Sequence, residues 1–572
     1  MVLEEIATLL DVSGDNRFKA RAFRTAARAL EKTASEPAAL MASGRLRTVA
    51  GIGPATARVI EELIVTGESR YHLDLRERAP SGLRELLRVP GLGPLKIARL
   101  HDELKIADLD ALEEAARSGR IAGMRGFGER TQQRILEGIP FARGLAGRRR
   151  YHQAEEAALR LAGYLEAQPG VEQALIAGDL RRGLEIVDAV ALIAVVNGAA
   201  DHVADRIRAA SGLRWHAGDD RVVRGRFSDG MAVEVCLTAR AGLGAALLHM
   251  TGSADHLARL AQIAAERGLQ LTARGLCDGD ALLDASDEHG LYAALGLQFV
   301  PPELRETGAE VAIARERALP RLVELSDLRG CFHCHTTHSD GKASVAEMAE
   351  GALSLGWRYL GIADHSQNAG YAGGLSPAQI TRQQREIDAW NHRRSGELMV
   401  FKGVEADILA DGRLDYSDSA GVLESFDYVI GSVHSLFRME RAAMTKRMTR
   451  AVRDPRLTML GHARGRLLLI RDGYDVDLDA VVESAGAAGA AIEINADPHR
   501  LDLSWQFWPR ARKLGVRTAI NPDAHSVGGI RAVRYGVVIA RKAGFTPADV
   551  INCWPVEDVE AYLKERKARA AE

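Results

Sequence analysis

The chain has 572 residues, 47% hydrophobic and 27% charged, which is too long for one core and ordinary for a globular protein of three or more domains. No run of about 18 apolar residues occurs, the opening "MVLEEIATLLDVSGDNRF" lacks the basic-then-apolar order of a secretion signal, and Cys236, Cys277, Cys331, Cys334 and Cys553 show no disulfide framework; no membrane span is expected, and the reducing cytosol is. The net charge of −2 hides an asymmetry: residues 1–150 hold 26 Lys+Arg and 20 Asp+Glu, net +6, and the rest hold 49 and 57, net −8. A basic first third suits a polyanionic partner.

That first third carries a weak repeat: "VAGIGPATARVIEEL" from 49, "VPGLGPLKIARLHDEL" from 89 and "MRGFGERTQQRILEGI" from 124. Each is an apolar residue, a Gly-x-Gly turn and an amphipathic helix. The pairs Gly51/Gly53, Gly91/Gly93 and Gly126/Gly128 allow tight turns between helices. The helix starts that follow present backbone N–H groups to phosphate. This is the helix-hairpin-helix pattern, and three copies point to sequence-independent DNA backbone binding.

After the basic stretch "GLAGRRRYHQ" and a helical segment, the runs "VEQALIAG", "VDAVALIAVV", "VVRGRF" and "MAVEVCLT" predict strands of a mostly antiparallel sheet, with helices following to about 316. "ALPRLVELSDLRG" (318–330) reads as a linker. Beyond it, apolar strands alternate with helical patterns, predicting a parallel, barrel-like α/β unit. Polar residues recur at its strand C-terminal ends, where α/β barrels place their chemistry.

Those ends carry His333, His335 and Asp340 in "FHCHTTHSDG", His365 in "ADHS", Glu405 in "GVEADI", His434 in "GSVHS", His462 in "LGHARG", and Asp523 and His525 in "PDAHS". Two residues apart on a strand, His333 and His335 share a face. Cys334 points the other way, which demotes Cys331-x-x-Cys334 as a zinc site. Imidazole and carboxylate donors suit Zn²⁺ or Mn²⁺, and a shared carboxylate can bridge two ions, an arrangement that activates water and stabilises a phosphoryl leaving group.

These motifs resemble the polymerase and histidinol phosphatase (PHP) family, with all nine ligand positions of its trinuclear site present. The resemblance implies three divalent ions, Mn²⁺ and/or Zn²⁺: one held by His333, His335, Glu405 and Asp523, a second by Glu405, His434 and His462, a third by Asp340, His365 and His525. It makes His333, His335, Glu405, His434, Asp523 and His525 the catalytic set. "ILADGRLDY", "GRLLLIRDGY" and "EINADPHRLDLSW" look like the PHP domain fused to bacterial family X DNA polymerases, which show metal-dependent 3′→5′ exonuclease and in some cases abasic-site endonuclease activity. Arg466 and His499 are candidate phosphate or DNA contacts.

The resemblance to family X polymerases spans the chain, through "RFKARAFRTAARALE", "TGSADHLARLAQIAAERGLQL" and "LYAALGLQFVPPELRE". It implies a multidomain protein: an all-α helix-hairpin-helix region (an 8-kDa-like domain at 1–78, fingers-like at 79–148), an α+β polymerase-beta-like palm (149–240) and thumb (241–317), the 318–330 linker, and a distorted α/β barrel PHP domain (331–572). The palm motif of that family is Gly-Ser-x-Arg-Arg-x-x-Glu followed by Gly-Asp-x-Asp. Here Gly178, Arg181, Arg182 and Glu185 match, the first three being a remnant nucleotide-binding set. Asp179 replaces the serine, Ala189 and Ala191 replace both metal-binding aspartates, and Glu234 stands where the third would be. Alanine offers no ligand to the two Mg²⁺ ions of nucleotidyl transfer. Asp188 faces away from 189 and 191, and Asp179 would repel the triphosphate. Mg²⁺ at the palm is therefore not expected, dNTP binding is doubtful, and polymerase activity is read as lost. Val59, beside Arg58, occupies the place of the family's Schiff-base lysine.

The sequence thus predicts a monomeric, cytoplasmic, nucleoid-associated bacterial repair enzyme acting on gapped, nicked or 3′-ended DNA. Three alternatives stay open: an active gap-filling polymerase, a small-molecule phosphoesterase of the histidinol phosphatase type, and a non-catalytic DNA-bridging scaffold.

Overall fold

The computed structural model describes residues 2–12, 17–32, 37–66, 69–78, 81–145, 147–198, 200–209, 213–216, 221–227, 229–283 and 286–569. The chain divides into two compact units, residues 1–146 and 147–572.

The first unit is helical. One core gathers Ile6, Leu10, Phe23, Ala57 and Ile60, and a second gathers Leu86, Ile97, Leu100, Leu112, Ile135 and Ile139. The three glycine turns precede the helices Pro54–Thr66, Pro94–Leu104 and Gly128–Gly144. Gly51, Gly91 and Gly126 have φ of 98°, 86° and 86°, a backbone state that side chains disfavour.

The second unit opens with a five-stranded sheet. Its inner strand Ala189–Val196 runs antiparallel to the edge strand Val171–Ala177 and parallel to the central strand, Ala232–Thr238. Val222–Phe227 and Leu213–His216 complete the other edge, each antiparallel to its neighbour. The unbroken apolar run of Ala189–Val196 follows from burial on both faces. Val190, Leu192, Ala194 and Val196 pack with the helices Tyr151–Glu166 and Ala200–Arg208. Ala191, Ile193 and Val195 pack with the helix Leu243–Thr251. The predicted strand from Val187 is broken at Asp188, because Ile186–Val187 pairs separately with Arg149–Arg150. Four helices and a small three-stranded sheet follow, around Leu248, Leu260, Leu291 and Val311.

Residues 318–330 do not hang free. Val323 and Leu328 are buried in the next core, the Val323 N–H donates to the Phe545 carbonyl (2.9 Å), and the Arg329 N–H donates to the Asn552 carbonyl (2.7 Å). The apolar residues inside this predicted linker strap it down.

Seven parallel strands then line up in chain order: Gly330–Cys331, Tyr359–Ile362, Met399–Asp407, Tyr428–Ser432, Met459–Leu460, Ala491–Asn495 and Thr518–Asn521. The first returns to the last where the His335 N–H donates to the Ala524 carbonyl (2.8 Å) and the Ala524 N–H to the His333 carbonyl (3.1 Å). The result is a nearly closed parallel barrel, as the strand and helix alternation implied. Phe332, Tyr359, Phe401, Tyr428 and Met459 fill a core shared with the last helix, Val556–Arg569.

Candidate metal centre

Parallel strands ending on one side bring distant residues together. His333 and His335 follow the first strand, His365 the second, and Glu405 lies near the end of the third; His434, His462, Asp523 and His525 follow later strands. Asp340 arrives on the loop after His335. All nine meet in one cluster.

Glu405 is its hub, 1% exposed. Its Oε1 lies 3.0 Å from His462 Nε2, 3.2 Å from His434 Nε2 and 3.4 Å from His333 Nε2. Its Oε2 lies 2.9 Å from His365 Nδ1 and 3.7 Å from His335 Nε2. Asp523 Oδ1 is 3.2 Å from His335 Nε2 and 3.7 Å from His333 Nε2. Asp340 Oδ1 is 3.3 Å from His525 Nε2 and 3.6 Å from His365 Nε2. Three groups offer ligand atoms within 4.8 Å of one another: His335, Asp340, His365 and His525; His333, His335 and Glu405; His365, Glu405 and His434. His335, His365 and Glu405 are therefore each shared by two groups, whereas the resemblance implies only Glu405 as a shared ligand.

The donor set fits divalent ions. His333 Nε2, His335 Nδ1, His365 Nδ1, His462 Nδ1 and Glu405 Oε2 are buried with no hydrogen-bond partner among the described residues, and imidazole with carboxylate suits Zn²⁺ or Mn²⁺. The electrostatics agree. Burial opposes ionisation of Glu405, but the surrounding His434, His333 and His365 hold its pKa well below the usual range. Asp523 is held well below likewise, by His333 and His335 against burial. Burial also opposes charge on His434 and His525, yet Glu405 and Asp407 raise the first to about 10, and Asp340 and Asp523 raise the second to about 9. His335, buried among His525 and His365, falls to about 4.

Three carboxylates that sequence reasoning missed hold this cluster in place. Glu493, fully buried in its strand, puts Oε1 2.8 Å from His333 Nδ1 and accepts the His462 N–H at Oε2 (2.8 Å). Asp407 Oδ1 is 2.6 Å from His434 Nδ1. Each fixes which ring nitrogen faces the cluster. Asp364 accepts from the Thr336 N–H (2.7 Å), Thr336 Oγ1 (2.6 Å), Ser339 Oγ (2.5 Å) and Gln383 Nε2 (2.6 Å), tying down the loop that carries Asp340. Asp407 lies two residues beyond Glu405 and Asp364 directly before His365; that adjacency was the available signal. Glu493 had none. Cys331 and Cys334 are buried in the core, their sulfurs 3.6 Å apart.

Over 98% of its length the chain is 36% identical to the DNA polymerase/3′-5′ exonuclease PolX of Bacillus subtilis (strain 168), of which 98% is covered. The chain belongs to the PolX family of family X DNA polymerases. The matching family models agree: a helix-hairpin-helix domain over 1–69, a SAM-like helix-hairpin-helix tandem over 83–139, a DNA polymerase beta thumb over 246–306 and a PHP domain over 332–497. A probable phosphatase of Thermoanaerobacter sp. (strain X514) is 25% identical over 41% of this chain and 95% of its own length. A solved structure, a ternary P/T complex of Leishmania infantum polymerase beta, has a TM-score of 0.27 and 18% identity, covering 40% of this chain and 99% of its own.

In this PolX-family chain the palm motif residues are engaged with one another and their neighbours. Arg181 donates to both oxygens of Glu288 (3.1 and 2.6 Å) and to Thr251 Oγ1 (3.1 Å). Arg182 donates to Glu306 Oε1 (3.0 Å), the Thr251 carbonyl (2.7 Å) and Asp179 Oδ1 (2.5 Å). Ala191 stands in register with Glu234 across the parallel pair, and Glu234 is tied to Arg224 (2.9 Å). A Cβ on Gly178 would sit 2.8 Å from the Ala191 Cβ. Asp188 is exposed and paired with Arg148 (2.8 Å). Arg466 also binds internally, while His499 lies 2.9 Å from Asp497. At the helical hairpins, a Cβ on Gly53, Gly91, Gly93 or Gly128 would meet nothing within 4 Å, so these turns face open space; Gly51 abuts Thr25 and Gly126 abuts Arg99. Arg58 is exposed and Val59 buried.

Proposed function

We propose that this protein binds gapped, nicked or 3′-ended DNA and hydrolyses phosphodiesters at the PHP centre, as a 3′→5′ exonuclease or abasic-site endonuclease, with polymerase activity lost. The observation that carries the reading is a contrast. Nine metal-type donors converge at the barrel mouth, while the palm places Ala191 opposite Glu234 and spends Asp179 on Arg182. The name of the Bacillus subtilis relative, which joins polymerase and exonuclease, supports the nuclease half. The hairpin turns suit contact with the DNA backbone.

Divalent ions held at the centre would supply charge to activate water and to neutralise phosphoryl oxygens. The chain's own residues do the positioning. Glu493 and Asp407 take the Nδ1 atoms of His333 and His434, so that each Nε2 is presented to Glu405. Asp364 holds the loop bearing Asp340. Burial keeps Glu405 and the histidines away from bulk water, and the low local dielectric strengthens their hold on a bound cation.

Labelled primer–template incubated with Mn²⁺ and dNTPs should be shortened. His335→Ala or Glu405→Ala should reduce shortening about 100-fold or more, since each removes a donor shared by two groups. Extension without shortening would overturn the reading. The probable phosphatase relatives favour a second reading, phosphomonoester hydrolysis; turnover of p-nitrophenyl phosphate with no affinity for DNA would establish that one instead.

A further inference from the structure

The loop after the strand Ala491–Asn495 brings Arg500 to the rim of the metal centre. Its Nε lies 3.7 Å from Asp523 Oδ2 and 3.9 Å from Asp497 Oδ2. Neither approach is a hydrogen bond, and among the described residues the guanidinium makes none. An arginine with its side chain 22% exposed, beside a carboxylate of the metal cluster, thus keeps its donors spare. A planar fork of N–H groups matches the oxygens of a phosphodiester.

Arg466, the more obvious candidate from sequence, is otherwise occupied. Its Nε donates to the Arg500 carbonyl (2.9 Å), and its Nη2 donates to the Leu501 carbonyl and to Glu185 Oε1 (3.1 Å). It is the clamp on the backbone that carries Arg500. Glu185 belongs to the palm, as the last residue of the Arg-Arg-x-x-Glu motif, and also accepts the Trp505 N–H (3.2 Å). Beside it, palm Arg150 Nε donates to the Leu468 carbonyl (2.9 Å), and the Leu468 N–H donates to the His499 carbonyl (2.8 Å). A line of contacts therefore runs from the palm motif to the rim of the metal centre.

We propose that Arg500 receives a non-bridging oxygen of the substrate phosphodiester, and that palm-borne Glu185, acting through Arg466, is a positioning residue for it. This rests on the phosphodiesterase reading above. The palm motif then serves the nuclease by holding the loop that grips its substrate.

The test uses the full chain with Mn²⁺ and a labelled oligonucleotide. Arg500→Gln should raise KM about 10-fold or more, with kcat changed less, and Arg500→Lys should recover part of the loss. Glu185→Gln should raise KM roughly 2- to 10-fold, and should add nothing in the Arg500→Gln background. Glu172→Gln, which loses only a palm-surface pair with Arg240 (2.9 Å), should leave KM alone. An unchanged KM in Arg500→Gln, or effects of Glu185 and Arg500 that multiply, would overturn the proposal. Calorimetric titration of inorganic phosphate into the Mn²⁺-loaded chain separates it from the reading it rests on. Phosphate binding weakened about 10-fold in Arg500→Gln supports the grip even if DNA is not hydrolysed; equal affinity in both proteins refutes the grip even if DNA is hydrolysed.

Discussion

Glu493 has one oxygen on His333 Nδ1 and the other on the His462 N–H. It serves two candidate ligands from one buried position. Glu493→Gln keeps the shape but removes the charge that fixes the His333 tautomer. We expect metal affinity to fall about 10- to 100-fold, read by metal content after dialysis against graded chelator. A variant that retains its metal like the parent would show that the histidines are positioned by packing alone. The histidines also set a pH response in the metal-free chain. His434 and His525 titrate near 10 and 9 when folded, against about 6.5 unfolded. A raised folded pKa stabilises fully below the unfolded value, and that stability is lost as pH rises through the folded one. The chelator-treated protein should therefore show a Tm that falls from about pH 7 to pH 10. Metal affinity should rise over the same interval, because ligation needs neutral imidazole. A flat Tm would refute the sign. The nine donors stood out in sequence because each lies at the end of an apolar run or in the loop after it. Glu493 did not, since its partner lies 160 positions away and only the barrel's closure makes them neighbours. Arg500 was not singled out beside Arg466 and His499, because only the folded loop shows which of the three has its donors engaged.

At the scale of elements, the stretch "RRGLEIVDAVALIAVV" shows a strand specified by packing rather than by polar ligands. Alternation along Ala189–Val196 still feeds two apolar layers, and Ala191 packs among Ala177, Ile193, Leu243 and Ala246. An aspartate returned to this position would be a carboxylate in an apolar layer, beside a glycine with no room to yield. We expect Ala189→Asp/Ala191→Asp to destabilise the protein by about 2 kcal/mol or more, by denaturant unfolding, and to fail in primer extension. Restored extension would show that the palm retains its nucleotide path. The mostly antiparallel sheet, the parallel barrel and the helical hairpins were readable from periodicity and glycine placement. The break at Asp188 was not, because an antiparallel partner at Arg149–Arg150 lies outside the strand's own pattern. Nor was the fastening of residues 318–330, where buried leucine and valine positions looked like a connector's ordinary content.

Over the whole molecule, the chain divides into two compact units, residues 1–146 and 147–572. Limited proteolysis should separate 1–146 from 147–572, identified by mass, while palm, thumb and barrel stay together. The basic helical fragment should hold DNA with an affinity that falls steeply with salt, and the larger fragment should hydrolyse DNA with a raised KM. Early cleavage between thumb and barrel would contradict this, because ion pairs bind those parts.

Lys542 shows what such binding entails. The barrel's lysine is buried, its ammonium donating to the carbonyls of Arg182 (3.0 Å) and Glu303 (3.3 Å) and to Glu306 (2.5 Å), over the face of Trp505. All three acceptors belong to palm and thumb. Deleting those modules would strip the ammonium of these three acceptors and uncover the barrel core against which Tyr151 and Ile186 pack. A chain cut back to the barrel would therefore lose packing as well as its neighbours, and should be less soluble and less stable than the same barrel within the full protein. The palm is in this sense part of the barrel's wall, a structural role that holds independently of any chemistry of its own.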